Sequence, residues 1–246
     1  MINTRSPYNT CTSYHRRPRL RLLNMLLLSL VLFSCNGKEK KKLDERVTLW
    51  RKDKIPYGTY VAYENMQHLF PNAEITTNNA SPTNLLNQEG KKAYVIITPV
   101  MDPDESETNA IINMAGEGSH IFISAFRIGD SLLHALKVRP AFRYLSLDED
   151  TMQLSVYHPL THDSLSYIYP GRAAHNYADS IEEQYTTVTG KDYRGRPNML
   201  RFTYKGGGSI ILHFEPLAFS NFFLLHKQNM SYYSNVFSYK IGRAHV

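Results

Sequence analysis

Apolar residues recur at helical spacing in the segment IPYGTYVAYENMQHLFP, residues 55–71. Ala62, Met66, Leu69 and Phe70 fall on one face when that segment is drawn as an α-helix. Pro71 ends the pattern, because proline lacks an amide N–H and restricts the residue before it. The sequence therefore predicts an amphipathic helix that stops before Pro71.

A strand, a helix and a second strand are predicted next. The runs Ala93–Thr98 and His120–Phe126 are rich in apolar residues, a pattern typical of strands buried on both faces. Between them, Asp104 and Glu107 match a capping box, which predicts a helix that ends at the glycines of residues 116–118. Strand, helix and strand over about 30 residues predict two parallel strands with a right-handed crossover.

Alternation replaces helical spacing in the second half of the chain. After a short predicted helix over Asp130–Leu136, apolar and polar residues alternate in four runs, within residues 152–156, 167–169, 200–204 and 210–214. The sequence KGGGS, residues 205–209, predicts a hairpin between the last two. A short helix is predicted near Ser220. The predicted class is α/β, with an antiparallel β-rich segment in the second half.

The front of the chain predicts export. Leu22–Phe33 is an apolar run too short to span a bilayer, and Arg16, Arg17, Arg19 and Arg21 precede it. The residues LFSC that end at Cys35 resemble a bacterial lipobox, in which the cysteine is acylated after cleavage. We therefore predict a signal peptide over residues 1–34 and lipid attachment at Cys35. An ordinary export signal with a chance cysteine is the alternative.

Charge is concentrated at the same end. The chain has 28 Lys and Arg against 22 Asp and Glu, but residues from 55 onward contain slightly more acidic than basic side chains. This distribution argues against nucleic acid as a partner. Residues 35–47 are predicted to be a charged tether, whose lysines either contact anionic lipid or form a solvated linker.

The cysteine positions exclude some chemistry for the body of the chain. Cys11 and Cys35 are the only cysteines, so a disulfide or a cysteine nucleophile beyond the tether is excluded. The last six residues, 241–246 (IGRAHV), are similar to a translated sequencing adapter. We therefore expect the natural chain to continue differently after Lys240.

Three segments resemble a bacterial family known as domain of unknown function 4350. They are IPYGTYVAYENMQHLFP, ESETNAIINMAGEGSHIFISA and EPLAFSNFFLL, and the similarity extends over residues 48–240. The resemblance implies a flavodoxin-like fold related to class I glutamine amidotransferases, a parallel sheet with helices on both faces. It also implies a C-terminal membrane helix in many members, genes often located beside a MoxR-type ATPase, and no established activity.

The sequence predicts no catalytic residues, metal site or cofactor. Neither GEGSH at 116–120 nor GGGSI at 206–210 has the G-x-S-x-G spacing of a nucleophile elbow. His158 and His162, beside Asp163, have helical metal-ligand spacing, but Pro159 favours a surface turn. The acids of residues 148–150 are interpreted as a solvated turn. Phosphate-binding glycine motifs are absent from the sequence.

Two positions are candidates for ligand or partner binding. Tyr57 and Gly58 precede the first helix, and helix starts beside strand ends often bind ligands in α/β folds. Asn221 is a polar residue among aromatics, although a role at a helix start is the alternative. The 17 tyrosines and 11 phenylalanines could line a glycan or peptide surface or simply pack in the sheet.

Three functional hypotheses follow. The first is an exported α/β domain, anchored by lipid in the cell envelope and facing the periplasm or exterior, that binds or assembles with envelope proteins without catalysis. The second is an envelope hydrolase or transferase whose catalytic residues lie beyond Lys240. The third is a lipoprotein that binds glycans or peptides through its aromatic residues.

Overall fold

The computed structural model describes residues 43–86, 90–141, 151–157 and 163–238. All of them belong to the unit Leu43–Val246. The predicted signal peptide, Cys35, most of the tether, His158, His162, residues 148–150 and the adapter-like tail lie outside the described residues. Among the described residues, no helix is long and apolar enough to cross a bilayer.

Nine strands and seven helical segments make up the described part. The strands are β1 (Ala93–Met101), β2 (His120–Ile128), β3 (Arg139–Ala141), β4 (Met152–Tyr157), β5 (Ser164–Tyr169), β6 (Tyr177–Ser180), β7 (Thr187–Asp192), β8 (Pro197–Thr203) and β9 (Ser209–His213). The helices are α1 (Tyr60–Leu69), α2 (Pro82–Leu85), α3 (Glu105–Gly116), α4 (Asp130–Ala135), a 3₁₀ helix (Pro216–Phe219), α5 (Asn221–Leu224) and α6 (Met230–Ser238).

A mixed sheet of seven strands has the order β1-β2-β9-β8-β7-β4-β5. β1, β2 and β9 are parallel, and every later neighbour is antiparallel. β3 and β6 form a separate antiparallel pair. The predicted α/β class is confirmed, and the predicted antiparallel strands continue the same sheet as the parallel ones.

Helices cover both faces of this sheet. On one face α1, the 3₁₀ helix, α5 and α6 pack on a core rich in aromatic rings, in which Phe219 lies 5.4 Å from Phe122 and 5.9 Å from Phe237 between ring centroids. On the other face α3 and α4 pack on an aliphatic core that includes Ile123 and Leu212. Each such buried side chain stabilises the fold by about 1.5–3 kcal/mol.

The predicted strand, helix and strand are confirmed, since β1 and β2 are parallel and α3 lies between them in the chain. The Asp104 side chain accepts a hydrogen bond from the backbone N–H of Glu107, and the Glu107 side chain accepts one from the backbone N–H of Asp104, which completes the capping box. Beyond the other end of α3, Gly118 has a φ of +106°, a conformation that L side chains rarely adopt. The predicted hairpin between β8 and β9 is present too.

The prediction that β1 is buried on both faces is wrong. Its central residues, Tyr94–Thr98, are only partly buried, because β1 is the edge strand of the sheet. Pro99 does not end the strand, which continues to Met101. Proline has no N–H to donate, so a strand that contains one is usually found at an edge. β2, in contrast, is buried as predicted.

Candidate binding groove

Asn221 lies against the segment that contains Tyr57 and Gly58, so the structure brings the predicted site residues together. The Asn221 side-chain NH₂ donates to the carbonyl oxygens of Asp53 (2.8 Å) and Ile55 (2.7 Å). Its Oδ1 accepts from the N–H of Val61 at 2.8 Å, and its own N–H donates to Gly58 O at 2.8 Å. We name this set of four hydrogen bonds the Asn221 clasp. These bonds occupy the side chain with backbone groups, so the clasp has a structural role.

Gly58 is required for this packing. A Cβ built on Gly58 would lie 2.2 Å from the carbonyl oxygen of Asp53, well inside van der Waals contact. The backbone of residues 53–58 therefore turns so tightly that only glycine fits. The alternative role of Asn221 at a helix start is present in the structure, since Asn221 is the first residue of α5 and accepts from a backbone N–H at the start of α1. The N-cap of α5 itself is Ser220, which accepts from the N–H of Phe223.

Tyr57 is buried, with 4% of its surface exposed. Its ring makes an edge contact with Phe222, and the Arg172 guanidinium lies 5.6 Å from the ring centroid. Burial raises the pKa of the neighbouring Tyr169 hydroxyl, and Tyr57 raises it further. Tyr57 is therefore a packing residue behind the surface that Asn221 holds in place.

The loop that carries Trp50 and Arg51 forms one wall of a groove of about 1270 Å³. We call the connection between α1 and α2, residues 71–80, the strap. The groove is bounded by α1, by the strap and by the edge strand β1. Its apolar lining includes Ala62 and Met66 of α1, Phe70 directly after that helix, and Val95 and Ile97 of β1.

Aromatic and basic side chains stand at the mouth of the groove. Trp50 is 48% exposed and Tyr63 is 38% exposed. The Arg51 guanidinium lies 4.7 Å from the Trp50 ring centroid and 5.9 Å from that of Tyr63, so the three side chains form a cation–π stack. These residues are not predictable as a site from the sequence, because nothing in the local pattern places residues 50, 51 and 63 together.

The backbone under this stack has an unusual conformation. Leu49 has a φ of +48°, which is costly for a residue with a branched side chain. Its N–H donates to Tyr57 O, and its carbonyl accepts from the Thr59 hydroxyl at 3.0 Å. These bonds and the Asn221 clasp together fix the loop that carries Trp50 and Arg51.

The described residues that line the groove include more basic than acidic side chains. Arg51, Lys91 and Lys92 line it, and Glu74 is the carboxylate among the described lining residues. Burial lowers the pKa of His120 at the same end of the groove, and the charges of Arg201 and Lys91 lower it further. His120 Nδ1 lies 2.9 Å from Ser209 Oγ, and Ser209 itself is buried.

A second polar network lies inside the core, away from the groove. His213 Nδ1 is 2.7 Å from Ser124 Oγ, and its Nε2 is 2.8 Å from the Tyr232 hydroxyl. Burial lowers the pKa of His213 to about 3, so the imidazole is neutral. A serine beside a histidine is the geometry of an activated nucleophile. Here all three side chains are buried, so a substrate has no access to the serine.

Glu215 is another buried ionisable group, with 1% of its surface exposed. Its Oε2 accepts hydrogen bonds from the consecutive N–H groups of Ala174 (2.8 Å) and His175 (2.9 Å). Those donors favour the charged form, but burial outweighs them and raises the pKa of Glu215 to about 8. Neither Glu215 nor His213 stands out in the sequence, since each is a single polar residue in an apolar run.

The described residues contain no group of three or more His, Cys, Asp or Glu side chains placed to hold a metal ion. What they offer to a ligand is the groove, with its apolar floor, aromatic mouth and basic side chains. This arrangement is suited to binding a ligand. The serine–histidine pairs, in contrast, involve buried serines and serve the fold.

The fold and this groove define the class as an α/β domain with a mixed sheet. No family model and no curated protein matches the chain. Among solved structures, the mmIFT52 N-terminal domain is similar over 75% of this chain and 92% of that chain, with 15% identity and a TM-score of 0.53. This likeness supports the α/β fold and nothing beyond it.

Two glycosidases are similar at a lower level. The exo-β-1,4-mannosidase Op5Man5 from Opitutaceae bacterium strain TAV5 matches over 80% of this chain and 34% of that chain, with 15% identity and a TM-score of 0.42. The β-galactosidase from Bacillus circulans sp. alkalophilus matches over 51% and 20%, with 11% identity and a TM-score of 0.36. The present chain thus spans about a third or less of their length, and these scores carry no argument about function.

Proposed function

We propose that the protein is an exported domain, anchored to the membrane by a lipid on Cys35, that binds a partner in the cell envelope without catalysing a reaction. We also propose that it belongs to the family named domain of unknown function 4350, with the flavodoxin-like ancestry that this resemblance implies. The lipobox-like residues that end at Cys35 support the anchor.

The groove beside β1 is the observation that supports a binding role. It combines an apolar floor, an exposed aromatic mouth and basic side chains, which are features of a recognition surface. The burial of Ser124 and Ser209, the two serines paired with histidines, supports a role without catalysis.

Lipid attachment is tested by metabolic labelling with palmitate. We expect the wild type and a Cys11→Ala variant to incorporate label, and a Cys35→Ala variant to lose it. Cys11→Ala is the matched control, since it removes the other cysteine. Label retained by Cys35→Ala would refute the anchor.

The absence of catalysis is tested with the purified full chain and panels of amide, ester and glycoside substrates. Turnover that persists through purification of the wild type would overturn the non-catalytic proposal and favour a hydrolase. A lipoprotein that binds a glycan or a peptide remains the second candidate, because Trp50 and Tyr63 expose aromatic rings at the groove.

A further inference from the structure

The outer edge of β1 has backbone groups available for pairing. The N–H of His120 donates to Lys92 O at 2.8 Å, so the backbone of Lys92 points toward β2. Backbone direction alternates along a strand, so the N–H and C=O groups of Val95 and Ile97 point away from β2. No other described residue forms a hydrogen bond with these groups.

The strap passes this edge without pairing to it. Val95 and Ile97 lie on the face of β1 whose core includes residues of α1. Tyr94 and Ile96 lie on the other face, whose core includes Leu85 and Leu86 at the end of α2. A connection from α1 to α2 must therefore go around the free edge of β1. In the described part of the chain, no backbone hydrogen bond joins the strap to β1, and the groove lies between them.

An exposed strand edge beside a groove is a template for strand addition. An added strand lies about 4.8 Å from its neighbour and supplies the missing donors and acceptors. Alternate side chains of such a strand would face the apolar surface around Val95 and Ile97. Natural proteins protect long apolar edges from unwanted pairing, and here the strap limits access to a single extended segment.

The charge of the groove indicates which segment fits. Arg51 and Lys91 favour an acidic ligand, with Glu74 as the opposing charge among the described lining residues. The chain's own tether is a poor occupant, since it carries Lys38, Lys40, Lys41 and Lys42 and like charges repel.

We propose that an extended, acidic peptide segment of a partner protein binds in this groove and pairs with β1 as an eighth strand of the sheet. This inference rests on the proposed binding function and specifies its site and its partner chemistry. It predicts that backbone pairing supplies affinity, while Arg51 and Lys91 select acidic sequences.

The test uses the full chain in detergent and a fluorescein-labelled peptide of twelve residues in which Glu and Val alternate. We expect this peptide to bind and a peptide with Lys in place of Glu to bind at least tenfold more weakly. Two isomers of the acidic peptide are N-methylated on alternate residues, one at odd and one at even positions. Strand addition uses a single edge of the peptide, so we expect one isomer to lose at least tenfold in affinity and the other to retain it.

Amide hydrogen exchange locates the pairing. The Val95 and Ile97 amides should exchange at least tenfold more slowly with peptide bound, whereas those of Tyr94 and Ile96, already paired with β2, should change little. Arg51→Glu and Lys91→Glu should each weaken binding severalfold. Arg194→Glu, in the β7–β8 turn, is the matched control and should have no effect.

Three results would overturn the inference: failure of the acidic peptide to bind, binding without slower exchange at Val95 and Ile97, and binding of maltohexaose in place of the peptide. These outcomes are separable from the proposed function. Failure of the wild type to incorporate palmitate would refute only the lipid anchor. Failure of the peptide test would refute only this binding mode, and the protein would then be a tethered binding domain with another recognition surface.

Discussion

The side-chain oxygen of Asn221 accepts a hydrogen bond from the backbone N–H of Val61 at 2.8 Å, across 160 positions of the chain. With the two bonds that the Asn221 amide donates, it joins α5 to the loop that precedes α1. The groove wall formed by Trp50 and Arg51 depends on that loop, so the clasp connects fold stability to the proposed binding surface.

Replacement of Asn221 by alanine should destabilise the fold by about 3 kcal/mol, because it leaves the partly buried N–H of Val61 and carbonyl oxygen of Asp53 without their partner. The carbonyl oxygen of Ile55 loses one of its two hydrogen bonds and keeps the one from the N–H of Gly58. Urea denaturation followed by circular dichroism measures this change. Asn72→Ala, at an exposed position of the strap, is the control and should change stability by less than about 0.5 kcal/mol. Equal stability of the two variants would show that the clasp is dispensable.

Gly58→Ala should destabilise the fold by about 1–3 kcal/mol, since its Cβ would overlap the carbonyl oxygen of Asp53. Gly116→Ala is a matched control, because a Cβ there meets no atom within 4 Å. Thermal unfolding should show a lower Tm for Gly58→Ala and an unchanged or higher Tm for Gly116→Ala. A Gly58→Ala protein as stable as the wild type would contradict the tight turn.

Glu215 should make the fold less stable as pH rises from about 6.5 to 8. Its carboxyl loses a proton near pH 4.5 in the unfolded chain but only near pH 8 in the folded one. Unfolding therefore releases a proton in this window, and stability falls by about 1.4 kcal/mol per pH unit. Below pH 6.5 the effect is hidden, because His213 contributes the opposite slope there.

The measurement is the free energy of unfolding in urea at pH 6.5 and pH 8. We expect a fall of about 2 kcal/mol in the wild type, and a nearly constant value in Glu215→Gln, which cannot ionise. Glu117→Gln changes an exposed glutamate and should keep the wild-type dependence. A wild-type stability that is flat or rises over this window would be inconsistent with a protonated Glu215.

His213 changes the stability of the fold with pH in the opposite direction to Glu215. Its imidazole stays neutral in the fold down to about pH 3 but gains a proton below pH 6.5 when unfolded. Stability should therefore fall as pH drops toward 3, and between about 4.5 and 6.5 the slopes of His213 and Glu215 should cancel. A His213→Asn variant should lose the acid-side slope while keeping the fall above pH 6.5.

Tyr232→Phe should cost about 1–3 kcal/mol, because it leaves Nε2 of the buried His213 without its 2.8 Å partner. Tyr63→Phe removes a hydroxyl from an exposed ring and serves as the control. Urea denaturation of both variants gives the comparison. If the Tyr232→Phe change costs no more than the control, the hydroxyl does not contribute to the stability of the core network.

Patterns confined to neighbouring residues were predictable from the sequence. The capping box at Asp104, the amphipathic helix that ends before Pro71 and the glycine-rich hairpin each depend on residues a few positions apart. Their local conformations are fixed by backbone sterics and short-range hydrogen bonds. The α/β class follows from the same patterns, because a helix between two apolar strands favours a parallel crossover.

The position of each strand in the sheet was not predictable in this way. An apolar run has the same pattern whether it lies at the centre or the edge, so the central residues of β1 looked like those of a buried strand. In the folded sheet, β9 pairs with the side of β2 opposite β1, and the remaining strands follow on that side. β1 is therefore left at the edge. That arrangement depends on contacts between residues about 90 positions apart, such as Ser124 and His213.

By itself, the sequence determined the local elements, the α/β class and the absence of cysteine chemistry in the body of the chain. Tertiary structure decided that Asn221 and Gly58 form a clasp, that Glu215 and His213 are buried, and that Trp50, Arg51 and Tyr63 meet at a groove. The physical reason is that burial, charge environment and groove shape are properties of groups brought together from distant parts of the chain. Local spacing carries information only about near neighbours.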